Sequence, residues 1–271
     1  MKPTPSRILS LLRENRYPSV LKLNLADPRV VEIAGASGID ALWLCQEHVP
    51  NDWLNLEGML RAARLHGVDT LVRVAKGAYS DYIRPLEAGA TGIIVPHIAN
   101  AEEARQVVDW TRFHPLGQRA LDGGNVDGGF TLIPQEEYLH HGNNERLIVL
   151  QIESPEALDQ VDEIAAVPGF NGFLFGPGDF SHRIGKAGQI TAPEVVAARR
   201  RVAAAARKHG KFAMSAGLFA PLSELVAEGH SVFSIGADVF AVSSYITQRL
   251  TILRDQAVQI PPPAAGQSLY G

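Results

Sequence analysis

The chain has 271 residues, 46% of them hydrophobic, with 25 lysines and arginines against 29 aspartates and glutamates and a net charge of −4. That length supports one large core, and the charge balance, with no basic stretch to track phosphates, excludes a dedicated nucleic-acid binder. Cys45 is the one cysteine, so no intrachain disulfide can form and a reducing cytoplasm is the expected location. The opening MKPTPSRILSLLREN has an amphipathic helical pattern without a long apolar core, so it is not read as a signal peptide. No run approaches the ~18 apolar residues that span a bilayer, so no membrane partner is expected.

After that first helix, short apolar runs alternate with stretches of helical period. In chain order the pattern predicts a strand over 20–25, a helix over 28–36, a strand over 41–45, a helix over 54–66, a strand over 70–74 and a helix over 82–88. It continues with a strand over 92–95, a helix over 101–111, a strand over 147–152 and a helix over 155–167. The last elements are a strand over 172–175, a helix over 193–209, a strand over 212–215, a helix over 221–228, a strand over 232–235 and a helix over 239–253. Asn100 before AEEARQVV and Ser154-Pro155 before EALDQV are helix-start signals. Gly67, Gly89, Gly210 and Gly229 close helices.

Eight strand-then-helix units predict an α/β fold, a (β/α)₈ TIM barrel, as a single domain over 1–271. A doubly wound open sheet is the competing architecture. Residues 114–146, containing RALDGGNVDGGF, read as a long glycine-rich connection. The proline-rich end, about 256–271, reads as an extended tail or a subunit contact.

In such barrels chemistry gathers at the carboxyl ends of the strands. Here those ends carry Cys45-Gln46-Glu47-His48, Arg73, Gln151 with Glu153, and Asp179 within FGPGDF. Two carboxylates that leave positions open suit a hard octahedral ion, magnesium or manganese, whereas zinc calls for clustered cysteine and histidine that are missing. The GPGD turn offers backbone N–H groups for a substrate carboxylate. Arg73 can neutralise a developing enolate oxygen, and His48 is the natural acid–base group. Each has a plain alternative: Asp179 as a helix cap, Glu153 as a turn residue, Arg73 as half of a structural ion pair, His48 as a turn donor. Lys22, alternating with leucines in LKLNL, could point inward, as a Schiff-base amine or as a charge-pairing or substrate-contacting group.

Taken together, EHVPND (47–52), VR (72–73), IIVPHIANAEEARQVV (93–108), QIES (151–154) and FGPGDFS (175–181) resemble the class II, metal-dependent pyruvate aldolases. This is the family of 4-hydroxy-2-oxoheptanedioate aldolase and 2-dehydro-3-deoxyglucarate aldolase. The resemblance runs from about Asn24 to Ala241. It implies a divalent metal, magnesium or manganese and in some members cobalt, held by Glu153 and Asp179. It further implies that the amides of Gly178 and Asp179 bind the pyruvate carboxylate, Arg73 contacts the keto oxygen, Gln151 orients metal-bound water and His48 transfers a proton. The implied assembly is a homohexamer, a trimer of dimers with the last barrel helix exchanged between subunits. One departure stands out. Cys45 and Gln46 replace an aspartate and a glycine of the family, and a thiol is a poor partner for fixing a histidine.

The expected function is therefore a lyase reaction, reversible retro-aldol cleavage of a 4-hydroxy-2-oxo acid to pyruvate and an aldehyde. Decarboxylation of an oxaloacetate-like 2-oxo acid and non-catalytic binding of a 2-oxo acid are the alternatives.

Overall fold

The structure, a computed structural model, describes residues 3–257. Eight parallel strands close into a barrel in sequence order. They are β1 (Ser19–Lys22), β2 (Ala41–Cys45), β3 (Asp69–Arg73), β4 (Gly92–Val95), β5 (Leu147–Ile152), β6 (Gly172–Phe175), β7 (Phe212–Ser215) and β8 (Val232–Ala237). The expected (β/α)₈ barrel is the fold, and the open-sheet alternative is ruled out by the β1–β8 pairing.

The helices through β6 are α1 (Arg7–Arg13), α2 (Pro28–Ala36), α3 (Trp53–Leu65), α4 (Tyr79–Glu87), α5 (Ala101–Thr111), α6 (Gln135–Asn144), α7 (Pro155–Asp159) and α8 (Val161–Ala165). After β6 come α9 (Pro177–Arg183), α10 (Pro193–Lys208), α11 (Leu222–Glu228) and α12 (Asp238–Ala257). None of the described helices is long and apolar enough to cross a membrane.

Strand alternation sorts the side chains. Val20, Ala41, Trp43, Leu71, Ile94, Val149, Leu174 and Met214 pack inside the barrel, with Ile8 of α1 among them. Leu42, Leu44 and Val72 point outward onto Leu56, Met59 and Leu60 of α3. Ile93, Leu150 and Phe173 point outward onto the α5, α8 and α10 side. With both faces covered, the strands are continuous apolar runs, as buried parallel strands are. The register pairs Lys22 with Trp43 and Cys45 with Arg73. Counting on by two from the inner layer, Lys22, Cys45, Arg73 and Gln151 are the inward positions at the carboxyl end. That period-two arithmetic is what builds the mouth.

At the other end, Asp69 accepts from Ser6 Oγ (2.7 Å) and Ile8 N (2.9 Å), docking α1 under the barrel. The 114–146 connection is not wholly irregular, because α6 occupies its second half. Its first half runs along the lower end, where Asp127 donates its N–H to Glu87 O and pairs with Arg119 at 2.7 Å in full burial. The helix expected over 155–167 breaks into α7 and α8 at Gln160. The expected tail begins two residues inside α12, and its remainder, 258–271, lies outside the described residues. From Phe240 to Asp255, α12 is exposed throughout, including Phe240, Tyr245, Ile246 and Leu253.

Candidate active site

The mouth is organised around buried Arg73, Gln151 and Glu153. Arg73, 4% exposed at the end of β3, has Nε 2.9 Å from Glu47 Oε2. Its Nη2 donates to Cys45 Sγ at 3.3 Å. Glu153, 2% exposed just past β5, accepts the His97 backbone N–H at 2.7 Å and the side-chain amide of Gln151. His97 then links the two carboxylates: Nδ1 is 2.9 Å from Glu153 Oε1 and Nε2 is 3.0 Å from Glu47 Oε1. It does so from the left-handed backbone region, with φ of 53°, a conformation uncommon for a residue with a side chain.

Burial pushes the Glu153 carboxyl above its usual range, and the charges of Asp179 and Glu47 add to that push even though His97 opposes it. Gly176 makes room for this group. A Cβ there would stand 2.7 Å from Glu153 Oε2 and 3.0 Å from Gln151 Nε2, so glycine is the residue that lets β6 turn into α9 beside the carboxylate.

A cavity of about 480 Å³ opens at this end, lined by Arg73, Gln151, Gly178 and Asp179 among others. The structure thus brings together four of the sequence-predicted residues. Gly178 and Asp179 lie in the first turn of α9, where no side chain caps the helix, so Asp179 is not the cap it could have been. Glu153 stands behind Gln151 and lines a neighbouring hollow of about 250 Å³ with His97 and Arg183.

His48 is the outlier. Its side chain is 58% exposed, and its Nε2 stands 3.6 Å from Glu47 Oε2. Cys45 does not reach the ring and instead accepts the His48 backbone N–H at 3.4 Å. The thiol that replaces the family aspartate does not leave this histidine without a carboxylate, because Glu47 stands beside it. Neither Glu47 nor His97 is among the residues the strand-end pattern singles out. Their signals were present, a glutamate next to the strand-end histidine and a histidine after Pro96 at the end of β4, but nothing local ties the two together.

The charges of Asp179 and Glu47 both act on Glu153, and beside it Gln151 Oε1 is buried with no hydrogen-bond partner. Carboxylate and amide oxygens of this kind fit a hard divalent cation. Among the described residues no three His, Cys, Asp or Glu side chains converge as a ligand set, so a closed zinc-type cage is not what these residues build.

Comparison with known proteins decides the lineage. Residues 19–244 match the model of the HpcH/HpaI aldolase/citrate lyase family. The chain belongs to that family. A 5-keto-4-deoxy-D-glucarate aldolase from Klebsiella pneumoniae is 34% identical over 220 residues, 81% of this chain and 83% of the relative. A 2-keto-3-deoxy-L-rhamnonate aldolase from Escherichia coli is 30% identical over 247 residues, 90% of this chain and 91% of the relative. The crystal structure of an HpcH/HpaI aldolase/citrate lyase family protein from Burkholderia cenocepacia superposes with a TM-score of 0.84 at 29% identity, covering 92% of this chain and 99% of that one. The HpcH/HpaI chain is thus an enzyme, a carbon–carbon lyase of the aldolase type.

Proposed function

We propose that the chain catalyses reversible retro-aldol cleavage of a 4-hydroxy-2-oxo acid to pyruvate and an aldehyde, with a divalent metal, magnesium or manganese, held by Glu153 and Asp179. The observation that carries this reading is the crowding of carboxylates at Glu153, with the orphaned Gln151 oxygen beside it and Arg73 facing the same cavity. A cation bound there would supply Lewis acidity to the keto oxygen and bring the 2-oxo acid to a fixed orientation.

The chain's own groups do the rest. The N–H groups of Gly178 and Asp179, unpaired within the first turn of α9, bind the substrate carboxylate. Arg73 meets the keto oxygen, held in place by Glu47 and by the face of Trp43, 5.0 Å away. Gln151, fixed by its bond to Glu153, orients what binds beside it. In the cleavage direction a base takes the proton of the C4 hydroxyl, the C3–C4 bond breaks, and its electron pair moves into the enolate as the aldehyde leaves. A proton delivered to C3 then gives pyruvate. His48 is the proposed carrier of that proton, poised by Glu47 at the rim. Glu47 thereby serves both Arg73 and His48. Negative charge grows on the keto oxygen as the bond breaks, and Arg73 is the fixed donor aimed at it.

The exposed apolar residues of α12, Phe240, Tyr245, Ile246 and Leu253 among them, support a homo-oligomer in which this helix is exchanged onto a second copy, within a hexamer. The two sugar-acid aldolase relatives differ in chemistry at the far end of the substrate, since a glucarate carries a second carboxylate and a rhamnonate does not. A substrate of either kind is compatible with the donor half of the site.

The test begins with pyruvate alone. Methyl hydrogens of pyruvate should exchange with solvent deuterium, the exchange should stop on chelation and return with magnesium or manganese, and Glu153→Ala and Asp179→Ala should each lower it by about a thousandfold or more. Exchange that survives both chelation and the two substitutions would refute the metal assignment, and no exchange at all would leave a 2-oxo acid binder. Carbon dioxide release from oxaloacetate, measured against pyruvate release from 4-hydroxy-2-oxo acids, separates a decarboxylase from the aldolase.

A further inference from the structure

The lower end of the barrel holds a second cavity, of about 270 Å³, near the small end of the range of small-molecule pockets. It is lined by Asp69, which opens β3, and by Thr91 and Arg146, which immediately precede β4 and β5. Pro3, Thr4 and Pro5 close one side, and Val68, Val126, Phe130 and Ile133 supply apolar walls. Asp69 and Arg73 are the first and last residues of β3, so about 13 Å of strand, at ~3.3 Å per residue, separates this cavity from the mouth. The chemistry above makes no use of it.

Arg146 is the group left over there. Among the described residues its guanidinium makes no hydrogen bond and meets no carboxylate at ion-pair distance, and burial holds its pKa below the usual arginine range although the charge of Asp127 opposes this. The two carboxylates of the cavity are committed elsewhere. Asp69 accepts from Ser6 Oγ, Ile8 N and, at 3.3 Å, Thr91 Oγ1. Asp127 Oδ2 accepts from Arg119 Nη2 at 2.7 Å and from the Tyr138 hydroxyl at 3.1 Å, while its Oδ1 is buried with no partner. Arg64 adds a second guanidinium, anchored to Ala88 O at 3.3 Å. A Cβ at Gly89 would stand 2.6 Å from Arg64 Nη1, so the glycine, at φ of 99°, lets that head lie against the cavity. A donor fork without an acceptor and an acceptor without a donor thus share one hollow, each unfavourable until something meets it.

The rim of the cavity is strained. Gly129, Phe130 and Thr131 follow one another in the left-handed region, with φ of 61°, 56° and 69°, and for a β-branched threonine that is an outlier conformation. The Thr131 N–H donates to Gly123 O (2.8 Å) and the Phe130 N–H to Asn125 O (2.9 Å). These bonds hold the turn that sets Phe130 against the cavity while half of it faces solvent. Strain of this kind collects at ligand clamps.

We propose that this lower cavity is a second ligand site, separate from the mouth, for a small hydroxylated carboxylate. Arg146 receives the carboxylate on its planar fork, Arg64 lies beside the same group, and a hydroxyl of the ligand donates to Asp127 Oδ1. The hydroxyl answers the difficulty that a plain anion meets here, since an unpartnered carboxylate oxygen repels a second negative charge. Inorganic phosphate brings more negative charge toward Asp69 and Asp127 and no apolar part for Val68, Val126, Phe130 and Ile133 to cover. The site stands on the lower cavity alone and does not depend on the aldol reading of the mouth.

The experiment uses the full chain with magnesium and saturating pyruvate, so that the mouth is occupied, and follows the methyl resonances of Val68, Val126 and Ile133 by NMR as glycerate is added. Wild-type protein should show saturable shifts at those three residues. Arg146→Met should raise the midpoint about tenfold to a hundredfold, the range of hydrogen bonds to a charged group, and Arg64→Gln about threefold to tenfold. Unmoved methyl resonances of Leu44 and Leu174, in the core on either face of the sheet, show that a variant keeps the barrel. Arg64→Gln, an exposed residue of α3, decides the matter if Arg146→Met disturbs that core. Glycerate should bind about threefold to tenfold more tightly than propionate, which lacks the hydroxyls, and glycerol, which lacks the carboxylate, should give no saturable shift. No saturable shift with glycerate in wild type, or one midpoint shared by wild type and both variants, overturns the site. Propionate or inorganic phosphate binding as tightly as glycerate overturns the ligand class.

Discussion

Two buried arginines, one at each end of the barrel, show how the same side chain is used for opposite purposes. Arg112, 1% exposed at the end of α5, donates to four acceptors. Its Nε reaches Gly169 O (2.7 Å), Nη1 reaches Gly142 O (2.9 Å) and Arg146 O (2.8 Å), and Nη2 reaches Asn171 Oδ1 (2.6 Å). Those acceptors lie at the end of α6 and in the loops before β5 and β6, so one guanidinium ties three chain segments under the sheet. Burial lowers its pKa to about 10, with Arg119 adding to the effect. Arg73 is almost as buried, yet it is held on one side only, by Glu47 and Cys45, with its other side on the cavity. Arg112 completes its hydrogen bonds within the chain, whereas Arg73 leaves a side open to what enters the mouth.

The largest effects should separate the two ends. Arg112→Leu orphans three backbone carbonyls and a side-chain oxygen in a dry place, and should cost about 3–5 kcal/mol of stability. Urea denaturation would show it as a lower midpoint with a similar slope. Arg73→Lys should barely move that midpoint but should slow turnover about a hundredfold, roughly 3 kcal/mol, because an ammonium cannot reproduce a fixed planar fork. The comparison breaks if Arg73→Lys destabilises as much as Arg112→Leu, or if its kinetics match wild type.

A smaller effect should appear at the lower end through pH. His141 of α6 is buried, with Nε2 lacking a partner, and burial followed by the nearby Arg146 charge lowers its pKa to about 4. The unfolded chain keeps the ordinary value near 6.5. Between those values the unfolded state binds the proton more readily than the folded state. The stability contributed by neutral His141 is therefore present above about pH 6.5 and is lost as pH falls through about 4. The loss is on the order of 2 kcal/mol, less than the full shift would give, since the site relaxes. His141→Gln should flatten that part of the stability–pH curve. An unchanged slope would mean that other groups carry it.

This contrast also explains what could be read from the sequence. The barrel was legible because each strand is an apolar run and each helix carries end signals, so Ala41–Cys45, Gly92–Val95, Leu147–Ile152 and Ala101–Thr111 fall where the pattern puts them. Arg73, Gln151, Glu153 and Asp179 were legible because their place at strand ends is itself set by those runs. Glu47 and His97 were not, since their pairing joins loops after β2 and β4 and depends on a left-handed backbone at His97. The lower end was hardest. The ties of Arg112 reach 30 to 59 residues along the chain, and α6 lies next to a glycine-rich stretch that hides its period.

The smallest effect belongs to Cys45, and it sharpens the picture of the mouth most finely. Its sulfur is 3.3 Å from Arg73 Nη2 and 3.4 Å from His48 N, and it does not touch the His48 ring. Sulfur is a weak acceptor, so Cys45→Ala removes two weak contacts. It should reduce turnover by less than about tenfold, the scale of one ordinary hydrogen bond. What is lost should follow Arg73, as poorer handling of the 2-oxo acid donor, and leave aldehyde preference alone. Cys45→Asp is the stronger probe. The carboxylate would meet a guanidinium already held by Glu47 and could accept the His48 N–H, so the buried charge has partners waiting. Added negative charge favours the protonated form of a base beside it, and the acidic limb of the pH–rate profile should move to higher pH. If that limb stays where it is and Cys45→Ala equals wild type in every constant, Cys45 is packing at the end of β2. Arg73 would then be held by Glu47 and the Trp43 face without help from the sulfur.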